Sequence, residues 1–179
     1  KMPTTEIASK RATTQAEGVS GLNLAVPGGI NAANDLIIVS GAAWTTLGSL
    51  TVSVSDTKGT TFSVYQASFG SLINLFIAIG KAPSSGADTV NVSYDGAVNA
   101  SISLDLFQGQ HLTTPLRTDG GRATGTSSAP STTVTATAGD LILGVVTPHD
   151  ANVSITPGSG YTQIGEEEDN NTYQSHNLE

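Results

Sequence analysis

The chain has 179 residues, a formal net charge of −8, 37% hydrophobic and 12% charged residues, proportions that suit one soluble domain with a sizeable core. Only 7 Lys and Arg stand against 15 Asp and Glu, so no basic patch exists to neutralise phosphates, and nucleic acid and anionic membranes are not expected partners. With no cysteine, disulfides, thiolate metal sites and thiol nucleophiles are excluded; the longest apolar run, Leu75 to Ile79, falls far short of the roughly 18 residues of a membrane span.

Hydroxylated residues, 24 Thr and 20 Ser, make up about a quarter of the chain and favour strands with Ser/Thr faces over helices. The first 18 residues precede any clear strand and form an N-terminal extension. Thr4, Thr5, Ile7 and Ala8 give it the makings of a donor strand for a neighbouring copy. Residues 19–179 form a single domain. Apolar residues then recur with period two at Leu22, Leu24 and Val26 and at Val52 and Val54, the pattern of half-buried strands. Leu36 to Val39, Leu72 to Ile79 and Leu141 to Val146 are apolar on both faces and are expected in the middle of sheets.

Val90, Val92 and Tyr94 alternate, as do Val98, Ala100, Ile102, Leu104 and Leu106. Asp95-Gly96 between them predicts a tight hairpin, because a type I′ turn needs positive φ at both central residues. The intervening Asn99, Ser101, Ser103 and Asp105 are expected to face water. Residues 109–130, with Pro115, Asp119-Gly120-Gly121 and Ser127-Ser128-Ala129-Pro130, read as a long connection. Together these elements predict an all-β fold, a two-sheet antiparallel β-sandwich of jelly-roll or Ig-like Greek-key topology.

Asn34-Asp35-Leu36-Ile37-Ile38-Val39 is echoed by Gly139-Asp140-Leu141-Ile142-Leu143-Gly144. Each is followed by an alternating strand and a glycine turn, which suggests two related halves. The first half continues with two or three strands that the second lacks before Glu179, so the sandwich is expected to be short of its final strands. An inward aliphatic strand contributes on the order of 10 kcal/mol, so its absence calls for a replacement, for example a strand from another copy.

The search for chemistry finds little. His111, His149 and His176 lack metal-ligand spacing, no Gly-x-Ser-x-Gly elbow occurs, and Gly158-Ser159-Gly160 reads as a turn. No catalytic residue is assigned, although carboxylates such as Asp56, Asp95 and Asp105 could pair in space in a glycosidase. Trp44, with Tyr65, Tyr161 and Tyr173, is the best available platform for a sugar ring. Glu166, Glu168 and Asp169, in the run Glu166 to Asn171, could offer oxygen ligands to calcium; no other cofactor is implied. Asn91, Asn99, Asn152 and Asn170 begin glycosylation sequons.

Four stretches, Asn34 to Val39, Val54-Ser55-Asp56-Thr57-Lys58-Gly59-Thr60-Thr61, Gly139 to Gly144 and Gly158-Ser159-Gly160-Tyr161, resemble Thr- and Ser-rich β-sandwich modules of bacterial extracellular, cell-surface and phage virion proteins. They cover roughly residues 20 to 165, and none contains a catalytic group. The resemblance implies a spacer, adhesive domain or assembly subunit outside the cell or in a virion, self-associating with identical copies and inserting into no membrane. A carbohydrate-binding module is the second reading, and a polysaccharide-degrading jelly-roll enzyme the third.

Overall fold

In a computed structural model, the residues described are 5–7, 10–46, 48–70, 72–108, 131–137, 140–147, 156, 158–160, 165–169 and 174–178; for 5–6, 69, 165–169 and 174–178 the backbone alone is described. Ten strands occur among them, with no α-helix: β1 Thr5–Glu6, β2 Ala12–Ala25, β3 Leu36–Trp44, β4 Val52–Asp56, β5 Phe62–Phe69, β6 Ile73–Lys81, β7 Thr89–Gln108, β8 Val145–Val146, β9 Gly165–Asp169 and β10 Gln174–Leu178. The fold is therefore all-β, and every pairing is antiparallel.

β7 organises the larger, seven-stranded sheet. Along one side it pairs with β1 and with the whole of β2, from Ala12↔Leu104 to Ala25↔Thr89. On its other side it pairs first with β4, from Asp56↔Val90 to Val52↔Tyr94, and then with β3, from Trp44↔Asn99 to Leu36↔Phe107. β6 and β5 continue the sheet beyond β3. The expected hairpin at Asp95-Gly96 does not form. One strand runs through it, and neither residue has the positive φ that the turn requires. Pairing to β2 and β4 outweighs the local turn preference. The irregularity lies instead in β2, whose register shifts between Ala16 and Val19 and again before Gly21. There Gly18 takes φ +62°, the left-handed conformation by which a bulge re-aims a strand.

A single contiguous core joins two arms of this sheet. Leu22, Leu24, Val52, Val90, Val92 and Tyr94 come from the β2–β7–β4 arm, and Ile37, Val39, Phe76, Ala78, Ile102 and Leu104 from the β7–β3–β6 arm. The alternation at Leu22, Leu24 and Val26 buries all three, as expected. β3 and β6 are central strands with partners on both sides, and Leu36 to Val39 is apolar on both faces because Ile37 and Val39 enter the main core while Leu36 and Ile38 join a second cluster with Phe107 on the other face.

β8, β10 and β9 make a second, three-stranded sheet. It lies against the larger one, β10 over β3 and β7, β9 over β7 and β2, and β8 over β6. Leu143, just ahead of β8, packs on Leu36, Ile38 and Phe107, the side of β3 opposite the main core. That cover changes the character of the polar residues in the second half of β7. Ser101, Ser103 and Asp105 are buried rather than facing water, because period two assigns a face but not what lies on it. In the other half, Asn91 and Ser93 remain partly exposed.

The expectation that Leu141 to Val146 lies in the middle of a sheet is not met: only Val145–Val146 is strand, at the edge of the three-stranded sheet, and Leu141 is exposed. Leu141 to Gly144 thus form no strand where the echoed Leu36 to Val39 does, so the internal similarity does not carry over to structure at that point. Residues 109–130 and 151–155 lie outside the described residues. The N-terminal segment joins the chain's own sheet, with Thr5 opposite Gln108 and Ala12 opposite Leu104.

Candidate functional site

Trp44 ends β3, half-buried, on the face that carries Leu36 and Ile38, opposite the main core. Tyr65 is half-buried on the same face, in line with Ile77 and Ser40 across three strands. Four residues along the strand and two strands across put the two rings' Cα atoms about 16 Å apart, so they do not make one contiguous stacking surface. Tyr161 and Tyr173 lie outside the described residues.

Glu166, Glu168 and Asp169 fall on β9, where Glu166 is opposite Asn177 and Glu168 opposite Ser175 on β10. The acidic run is therefore paired backbone. His176 is on β10 opposite Glu167, while His111 and His149 lie outside the described residues. Among the described residues no group of three or more His, Cys, Asp or Glu side chains is placed to hold a metal ion.

Two sequon asparagines are tied into cross-strand contacts. Asn91 Nδ2 donates to Asn23 Oδ1 at 2.5 Å, Ser93 Oγ donates to Asn91 Oδ1, and the bulge peptide Gly18 N–H donates to Asn99 Oδ1 at 2.9 Å. Asn152 and Asn170 lie outside the described residues.

The carboxylates flagged from sequence do not converge with one another. Asp95 is at the opposite end of β4 from Asp56, where its Oδ1 accepts Thr51 N–H at 3.0 Å; this hydrogen bonding holds its carboxyl below the ordinary carboxylate value. Asp105 is buried in β7, accepting from Arg11 Nε at 2.7 Å and from Ser103 Oγ at 3.2 Å.

The densest polar constellation is at the pole of the sheet where β4 ends and β7 begins. Asp56 Oδ1 accepts the N–H groups of Lys58 and Thr60, folding the turn between β4 and β5 around one carboxylate. Asp88, immediately before β7, accepts through Oδ1 from Thr57 N–H, Thr57 Oγ1 and Thr89 N–H. Burial first, and then the charge and contact of Asp56, raise the Asp88 carboxyl above its ordinary value, while the Thr57 hydroxyl works against them. Lys58 Nζ donates to Ser84 Oγ and Ser85 O, fastening the turn to the segment that leads to Asp88.

Sequence reasoning flagged Asp56 but missed Asp88 because 31 residues separate Asp88 from Thr57. The only local signal was a carboxylate directly ahead of an alternating strand. No family model, curated protein or solved structure matches the chain, so the functional reading rests on its own residues.

Proposed function

We propose that the chain is a non-enzymatic structural or adhesive β-sandwich subunit. It presents a surface and joins copies of itself through an exposed strand edge, as part of a surface filament or virion. The observation that carries this reading is the edge at β2, fourteen residues long and paired among the described residues with β7 alone. An edge strand offers a row of N–H and C=O groups to another chain unless charge, proline or a bulge blunts it. Here the bulge near Gly18 blunts the middle, but from Gly18 to Asn34 no residue is charged, and Gly21 to Ala25 is regular strand. Abundant Ser and Thr and the resemblance drawn from sequence support a place outside the cell or in a virion.

Light scattering across a concentration series, with electron micrographs of each fraction, tests the proposal. A fixed oligomer or an ordered polymer is expected. A monomer at every concentration overturns self-association.

The second reading is a carbohydrate-binding module, favoured by one observation: Trp44, at the end of β3 on the face away from the main core, is only half-buried. Trp fluorescence titrated with soluble oligosaccharides checks it, a saturable change absent from Trp44→Ala being the supporting result.

A further inference from the structure

Three side-chain oxygens at the pole, Asp56 Oδ2, Asp88 Oδ2 and Thr60 Oγ1, are buried without any hydrogen-bond partner. Asp88 is 4% and Thr60 8% exposed, so water does not satisfy these groups from outside. Their orientation is fixed by the rest of the constellation. The inner oxygen of Asp56 is taken by two peptide N–H groups, one of them from Thr60 itself, and that of Asp88 by two peptide N–H groups and a hydroxyl. The outer oxygens are left over, and because Thr57, bound to Asp88, directly follows Asp56 in the chain, the two carboxyl groups are neighbours.

Leaving these buried oxygens unsatisfied is costly, so they call for a hydrogen-bonding or positively charged partner. The neighbouring ammonium does not supply it, since Lys58 Nζ is directed at Ser84 and Ser85. A shared proton would join the two acids but would leave the Thr60 hydroxyl unexplained. A hard cation accounts for all three oxygens, because calcium takes carboxylate, hydroxyl, carbonyl and water oxygens in a flexible shell of six to eight.

We propose that Asp56 Oδ2, Asp88 Oδ2 and Thr60 Oγ1 form a calcium site that clamps the β4–β5 turn onto the start of β7. The site is independent of the acidic run on β9, and it needs only two carboxylates, the remaining ligands being neutral oxygens. By joining residues from 56–60 to residue 88, a bound ion draws together segments that meet only through tertiary structure and stabilises the folded chain by mass action.

The test is thermal unfolding of the full chain at neutral pH, first in EDTA and then with calcium chloride, alongside calorimetric titration of the EDTA-treated, desalted protein. Calcium at about 100-fold over Kd is expected to raise Tm by about 5–10 °C, with one ion bound per chain. Asp88→Asn and Asp56→Asn retain an oxygen to accept the same peptide N–H groups, and each is expected to fold and to lose the response. The triple variant Glu166→Gln, Glu168→Gln, Asp169→Asn is expected to keep it. No calcium response, a response equal in Asp88→Asn, or one lost only in the triple variant overturns the proposal. A stability in EDTA that rises on acidification with no calcium effect also overturns it, and identifies a shared proton instead.

Discussion

Arg11 Nε lies 2.7 Å from Asp105 Oδ1, pairing a side chain that is 28% exposed with one that is wholly buried. The pair ties the start of β2 to the second half of β7 across 94 residues of sequence. Asp105 is under the three-stranded sheet's side of β7, and it can be there as an anion because Arg11 reaches in from the edge strand while Ser103 supplies a second donor.

Removing Arg11 alone takes away the guanidinium that the buried carboxylate is paired with. Loss of one partner of a buried pair costs about 3–5 kcal/mol, and partial exposure of Arg11 lowers that to roughly 2–4 kcal/mol. Arg11→Met keeps the aliphatic stem and is expected to unfold at correspondingly lower urea concentration. Arg11→Met with Asp105→Leu removes both charges and is expected to recover most of the loss, which a double-mutant cycle reads directly.

Gly41, in the middle of β3, is a position where the core leaves no room for a side chain. A Cβ there would stand 2.6 Å from Ser101 O and 2.8 Å from both Phe76 Cε1 and Ile102 Cγ2. Phe76 is its direct partner on β6, so the ring occupies the space a side chain would need. Gly41→Ala is expected to destabilise by at least about 1–3 kcal/mol through overpacking, measured by urea unfolding. The obstructing Ser101 oxygen is backbone, so trimming Phe76→Leu should relieve only part of that cost.

Asp95 gives a pH dependence with a defined sign. Its carboxyl is held below the ordinary value of 3.8, first by Thr51 N–H and then by the Thr51 side chain. A carboxyl depressed by folding contributes stability above its unfolded pKa and loses it as pH falls through the folded value. Asp95→Asn is therefore expected to be less stable than the parent at pH 7, with the difference closing below pH 3.8. Paired urea titrations at neutral and acid pH check this.

The sequence makes the strands legible wherever burial alternates. Leu22, Leu24 and Val26 and the apolar Leu36 to Val39 sit as periodicity requires. What it does not make legible is every feature set by a partner distant in the chain. Asp95-Gly96 carries strong turn chemistry, yet Tyr94 and Val98 are held in one strand by Val52 on one side and Val19 on the other. Ser103 and Asp105 read as solvent-facing until the second sheet and Arg11 are in place. The polar constellation is illegible for the same reason, since Asp88 meets Thr57 and Asp56 only when β4 pairs with β7.

The exposed edge offers a prediction in which fold and association separate. Ser20 and Ala25 are exposed positions of β2 flanking its regular stretch, in a segment without charge. Natural sheets discourage edge-to-edge pairing by placing lysine in such positions, because an ammonium cannot be desolvated cheaply against an incoming strand. Ser20→Lys and Ala25→Lys together leave Leu22 and Leu24 in the core, so Tm is expected to change little, within the roughly ±0.5 kcal/mol typical of surface substitutions. If β2 is the edge through which copies join, the double variant is monomeric at concentrations where the parent associates. If both associate equally, the contact lies elsewhere on the molecule, with β5 the next edge to charge, since it pairs with β6 alone among the described residues.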